Sequence, residues 1–177
     1  MQAGVRPGTV LLFPQIESAK AVLLCEEIAM ASTRIAGLAL GGEDYCLDLG
    51  VPRTPEGREL EYARRVLVHV CVAHGLLPLD GVWTALGDIA GLTAEAQYAR
   101  TIGFRGKYCI HPEQAVPVNE AFSPTAQQIE SARRIIAAFD EAVREGHASV
   151  RVDGQMVDVP VVKRAQELLK SAASMGL

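Results

Sequence analysis

Two carboxylates in this chain follow apolar runs at the point where a strand would hand over to a loop. Glu17 comes after the run at 10–13, and Asp44 after the run at 35–40, within Gly41-Gly42-Glu43-Asp44-Tyr45. Parallel α/β folds build their sites outside the C-terminal ends of the strands. Glu17 and Asp44 are therefore the candidates for one shared metal site. Glu43 adjoins Asp44 but would point the other way if the backbone stays extended, so it is not counted as a metal ligand.

The elements that must position these acids alternate in type. Residues 10–13 read as a strand, 19–31 as a helix with Ser18 as its N-cap, and 35–40 as a fully buried strand. Thr54-Pro55 has the form of a cap with proline at the first helical position and predicts a helix ending near Gly75. Residues 77–80 predict a third strand. Thr93 is the expected cap of a helix that stops at Gly103, and 107–110 predict a fourth strand. Four strand-helix units in succession argue for a parallel sheet with right-handed crossovers. After them the rhythm changes. Ser123-Pro124 opens an amphipathic helix to about Glu145, residues 149–157 predict a hairpin turning at Asp153-Gly154, and a helix over about 161–173 closes the chain. The expected division is thus 1–122 and 123–177.

Composition narrows the function classes. With 177 residues, 49% of them apolar, the chain suits one domain-sized core, and no apolar stretch is long enough to span a bilayer. Met1 to Thr9 lacks the layout of an export leader, which points to the cytoplasm. The net charge of −4 and scattered basic residues give no electrostatic footprint for nucleic acid, so small-molecule chemistry is expected. Cys25, Cys46, Cys71 and Cys109 form no Cys-x-x-Cys pair and read as buried free thiols. His69 and His74 lie in a helical pattern as ordinary surface or core residues. Asp80 falls at a strand end, where it either lines a site or caps a loop, and Asp48 and Asp88 suit solvated or capping positions.

Six segments carry a resemblance in one order along nearly the whole chain: LLFPQIESAKAVLLCEEIA, GLALGGEDYCLDLGV, PLDGVWTALGDIAGL, GFRGKYCIHPEQ, NEAFSPT and DGQMVDVPVVKRAQELL. Together they resemble the HpcH/HpaI aldolase/citrate lyase family, in particular its citrate lyase beta subunits and its malyl-CoA and citramalyl-CoA lyases. The resemblance implies a TIM (β/α)₈ barrel of the phosphoenolpyruvate/pyruvate type, trimeric or hexameric, with residues 1–122 supplying strands five to eight and 123–177 an extension. It implies Mg²⁺ held by Glu17 and Asp44, and a carbon-carbon lyase that cleaves or forms a 3-hydroxyacyl-CoA or citryl thioester through a metal-stabilised enolate. The backbone of Gly41, Gly42, Glu43 and Asp44 is similar to the part that meets the substrate carboxylate, and GKYCIHP to a segment near the CoA. For Lys107 and His111 in that segment, packing and hydrogen bonding at a strand end is the plainer role, favoured for His111.

Asp158, in Met156-Val157-Asp158-Val159-Pro160, is similar to an aspartate that serves as acid or base in a neighbouring subunit's site. Its plainer role is a helix N-cap ahead of Pro160. A CoA-independent aldolase for 4-hydroxy-2-oxoacids is the alternative within the class, disfavoured by the C-terminal hairpin and the Asp158 motif. The resemblance begins at the family's fifth strand, so its first four strands and substrate-binding arginine have no counterpart here; Arg6 does not match it. That leaves half a barrel, to be completed by another chain or a second copy, or a truncated member that binds metal or a partner without turning over alone.

Overall fold

The computed structural model describes Gly4, Arg6 and residues 8–177; much of the Met1 to Thr9 segment, read above for an export leader, lies outside the described residues. Its first part is an α/β layer. Strand β1 (Gln15–Ile16), helices α1 (Ala19–Leu23) and α2 (Cys25–Met30), strand β2 (Gly37–Leu40) and helices α3 (Gly42–Leu49) and α4 (Glu61–Ala73) come first. Strand β3 (Leu77–Asp80), helix α5 (Ile89–Ile102), strand β4 (Gly106–Lys107) and helix α6 (Ala115–Phe122) complete it. The four strands form one parallel sheet in chain order, so every neighbouring pair is joined by a helical crossover.

Burial explains the order. All four residues of β2 are buried, as a central strand covered on both faces requires. Leu38 and Leu40 join Ile16, Val22, Cys25, Leu67, Cys71 and Phe104 in the main core. β1 is shorter than the expected run at 10–13 and lies later. Leu12 makes a single parallel bridge to Ile35, and regular pairing starts only after Pro14, which has no N–H to give to a ladder. Val10 and Leu11 stay exposed.

Several helix limits differ from the sequence reading. The helix over 19–31 is divided at Leu24, whose ψ of 18° departs from helical geometry, although Ser18 does cap its start by accepting from Ala21 N. Thr54 does not open α4. The Glu59 carboxylate accepts from both the backbone N and the hydroxyl of Thr54, closing 54–59 into a loop, and the helix begins only at Glu61. Asp88, not Thr93, caps α5: its side chain accepts from Gly91 N, while the Thr93 hydroxyl donates to Ile89 O inside the helix. β4 ends at Lys107, and beyond it Ile110 N turns to the Gln114 side chain.

The chain divides into two compact units, Met1–Phe122 and Ser123–Leu177. The second unit holds α7 (Ala126–Arg144), a hairpin of β5 (Val150–Val152) and β6 (Gln155–Val157), and α8 (Val159–Ser174). Thr125 and Gln128 form a reciprocal capping box at the start of α7. The hairpin turns on Asp153 and Gly154, both with positive φ, the geometry of a two-residue turn matched to strand twist. Phe139, Val157 and Val162 form its core. Among the described residues no helix is long and apolar enough to cross a membrane.

Candidate functional site

Parallel register brings the first two candidate segments to one level. Ile16 pairs with Leu40, so the next residues, Glu17 and Gly41, leave the sheet side by side, and Gly41 N donates to Ile16 O at 3.0 Å. Glu17 then lies against the Gly41 backbone. A Cβ added at Gly41 would stand 2.6 Å from Glu17 Cβ and 2.8 Å from its Oε2, so the carboxylate occupies the space that any larger residue would fill. The glycine is required here by close approach of the Glu17 side chain.

Gly41 is also the N-cap of α3, and it offers no side-chain cap. The backbone N–H groups of the first turn point out of the helix without an intrahelical partner, and the helix dipole adds partial positive charge. Asp44 lies in that turn beside Glu43. Glu17, Glu43 and Asp44 are all exposed. Among the described residues, neither Glu17 nor Asp44 forms a side-chain hydrogen bond or ion pair, whereas Glu43 lies 3.7 Å from Arg53. Two unpaired carboxylates open to solvent provide oxygen ligands and leave room for water and substrate, which is the donor set a hard divalent cation takes. Among the described residues no group of three or more His, Cys, Asp or Glu is placed to hold a metal by itself.

The ends of β3 and β4 are built quite differently. Asp80 is fully buried and lines no opening. It accepts from Arg64 Nε at 3.0 Å, Arg64 Nη2 at 3.1 Å and Lys107 Nζ at 2.8 Å. Glu95 accepts from Arg64 at 2.7 Å, Lys107 at 2.6 Å and Arg53 at 2.5 Å. Burial works against ionisation of Asp80, but the adjacent Lys107 and Arg64 charges outweigh it and hold its carboxyl below the usual range. Glu59 is likewise penalised by burial, yet its hydrogen bonds with Thr54 and Arg53 bring it down to about 2. Site lining by Asp80 is thus replaced by a structural role. The missed signal lay in the helices. Arg64 interrupts the buried face Ala63, Leu67, Val68 and Cys71 of α4, and Glu95 the buried face Leu92, Ala96 and Ala99 of α5. Opposite charges on two core-facing stripes announce a buried pair.

Other residues take modest roles. Lys107 serves packing and hydrogen bonding, and His111 Nδ1 accepts from Glu113 N at the start of a short 3-10 turn. Asp48 accepts from Ala19 N at 2.7 Å and so helps cap α1. His69 is exposed, and His74 pairs with Glu26. Cys25, Cys46 and Cys71 are buried free thiols, with Cys25 and Cys71 pushed up to about 11 by burial. Cys109 is exposed instead, because β4 ends two residues before it. In the second unit, Asp158 is the N-cap of α8 and accepts from Val161 N at 3.3 Å. It is only partly buried.

A family model described as HpcH/HpaI aldolase/citrate lyase matches residues 2–112. The citrate lyase subunit beta of Leuconostoc mesenteroides subsp. cremoris is 44% identical over 165 residues, covering 93% of this chain and 55% of that protein. An L-malyl-CoA/beta-methylmalyl-CoA lyase of Cereibacter sphaeroides is 32% identical over 174 residues, covering 89% of this chain and 55% of that protein. The protein CitE from Mycobacterium tuberculosis, solved in complex with magnesium, acetoacetate and coenzyme A, superposes with a TM-score of 0.80 at 32% identity. The match covers 92% of this chain and 61% of that one. The chain spans little more than half the length of these relatives.

Proposed function

The chain belongs to the HpcH/HpaI aldolase/citrate lyase family, and from that premise we propose that it is the C-terminal half of a TIM (β/α)₈ barrel serving a Mg²⁺-dependent carbon-carbon lyase. The substrate class is a 3-hydroxyacyl-CoA, such as malyl-CoA or citramalyl-CoA, or a citryl thioester. The observation that carries the reading is the Glu17 carboxylate packed on Gly41, one residue ahead of a helix whose first turn holds Asp44.

Glu17 and Asp44 hold the cation, which when bound supplies Lewis-acid polarisation of the substrate oxygens. The N–H groups of Gly42 and its neighbours in the α3 first turn, uncapped by any side chain, orient a substrate carboxylate, as helix N-termini do for anions. Gly41 and Gly42 contribute backbone to that approach, Gly41 leaving room for Glu17 and Gly42 packing on Leu60, and Glu43 contributes through its backbone. Asp158 gives or takes a proton at the reacting carbon in a neighbouring subunit's site. Its carboxylate presents one oxygen to Val161 N, and the second is available for that transfer. Homo-oligomerisation as a trimer or hexamer belongs to the same reading.

The open edges of the sheet support a second reading of a different class. Among the described residues β1 and β4 each pair on one side only, leaving backbone donors and acceptors without a ladder partner. On this reading the chain binds metal or a partner that supplies further strands, and does not turn over alone. One experiment separates the two: Mg²⁺-dependent cleavage of malyl-CoA and citramalyl-CoA by the purified chain, with the oligomeric mass measured in the same preparation. Turnover supports the lyase in this form. A folded oligomer without turnover, still binding Mg²⁺, supports the partner-dependent reading, and absence of Mg²⁺ binding as well overturns the site.

A further inference from the structure

A buried ion network lies next to the candidate site without belonging to it. Arg53, Arg64 and Lys107 face Glu59, Asp80 and Glu95, three cations against three carboxylates, drawn from α4, α5, β3, β4 and the loop before α4. Gly57 closes over it with φ of +63°; a Cβ there would stand 3.1 Å from an Arg64 guanidinium nitrogen. Arg53 alone of these cations reaches out of the balanced set. Its guanidinium is anchored by Glu95 at 2.5 Å, Glu59 at 2.9 Å and the Thr54 carbonyl, while its Nε side lies 3.7 Å from Glu43. Glu43 is the residue before Asp44, in a helical turn that has no side-chain cap.

We propose that Arg53 is a positioning residue: through Glu43 it ties the first turn of α3 to the buried network and so sets where Asp44 projects. The proposal deepens the metal reading above and rests on it for its functional consequence. The Arg53–Glu43 pair is half exposed on the glutamate side, so its effect falls on geometry more than on stability. A planar fork with several donors is needed to serve three carboxylates at once, which a lysine ammonium cannot do from one point.

The test uses Arg53→Lys, which keeps the charge, and Glu43→Gln, which leaves the network whole. Hydrogen exchange is followed in the peptide covering residues 41–50, and Mn²⁺ affinity is read from the free-ion paramagnetic resonance signal. Both variants are expected to speed exchange in that peptide about threefold or more without change in α5. Arg53→Lys is expected to weaken Mn²⁺ binding about tenfold, the scale seen for residues that orient metal ligands. Unchanged exchange in both variants overturns the proposal. So does unchanged Mn²⁺ affinity in Arg53→Lys when Asp44→Ala loses binding. If Asp44→Ala itself binds Mn²⁺ as the parent does, the metal reading fails instead, and α3 exchange alone upholds or overturns the tether.

Discussion

The two halves of the sheet use acidic residues in opposite ways. At the ends of β1 and β2, Glu17 and Asp44 are exposed and without side-chain partners among the described residues. At the ends of β3 and β4, Asp80 is sealed from solvent and shared between Arg64 and Lys107. Position at the C-terminal edge of a parallel sheet is common to both. The cations supplied by neighbouring elements decide between them: α4, ahead of β3, and strand β4 bring charges to Asp80, whereas among the described residues no cation reaches Glu17 or Asp44. A strand-end carboxylate is a candidate ligand only while its own fold leaves it unpaired.

Substitutions can break this contrast. The largest stability loss is expected for Asp80→Ala, which strands Arg64 and Lys107 with too few buried partners and costs about 3–5 kcal/mol. Asp44→Ala is expected to stay within about 0.5 kcal/mol in the same urea titration. Equal losses in the two variants would erase the distinction. Glu17→Ala and Asp44→Ala are in turn expected to abolish Mg²⁺ binding in calorimetry, a loss of at least about 2.7 kcal/mol on a hundredfold scale, while Asp80→Asn retains binding if folded.

Gly41→Ala is a steric probe of the same place. Its methyl would collide with Glu17 at 2.6 Å, and an overpacking cost of about 1–3 kcal/mol together with weaker Mg²⁺ binding is expected. Normal binding and stability in that variant would show Glu17 free to move away.

Acid titration tests the paired half. Glu59 and Asp80 both have folded values below their ordinary range, Glu59 at about 2 against an ordinary 4.5. The unfolded chain therefore takes up protons first. Their stabilising contribution is whole above the ordinary carboxylate range and is lost as pH falls through the depressed values, for Glu59 from about 4.5 to about 2. The melting temperature should fall across that window and fall less steeply in Glu59→Gln. A stability change as small as that of Asp44→Ala is expected for Asp158→Asn, within about 0.5 kcal/mol, since asparagine caps a helix as well as aspartate. In an assembly that turns over, the same variant should slow catalysis with metal affinity kept. Full activity would leave Asp158 as a cap alone.

Much of this was legible in one dimension, and the misses share a cause. The β2 and β3 strands, the Ser18 cap, the Gly103 and Gly146 stops and the Asp153-Gly154 turn all depend on a few adjacent residues, so local pattern found them. Local pattern points to Thr54 and Thr93 as caps, but Glu59 ties Thr54 into a loop ahead of the helix, and Asp88 takes the Gly91 N–H at the start of α5. Local sequence does not decide between two roles for Asp80, because its partners lie 16 and 27 residues away. The candidate metal pair was visible for the converse reason: Glu17 follows β1 directly, Asp44 lies in the helical turn that comes next after β2, and register sets Glu17 beside Gly41.

By itself, the sequence determined the alternation of strands and helices, which follows from hydrophobic period and turn chemistry, and the family, which follows from the six motif segments in their order; it also marked Glu17 and Asp44 as candidate ligands. Tertiary structure decided which carboxylates are spent on buried cations and which remain free. It also decided that Glu43 leans to Arg53 while Glu17 rests on Gly41. The physical reason is that charge pairing and close backbone approach depend on distances through space, and those arise only when helices from distant parts of the chain pack over the same sheet.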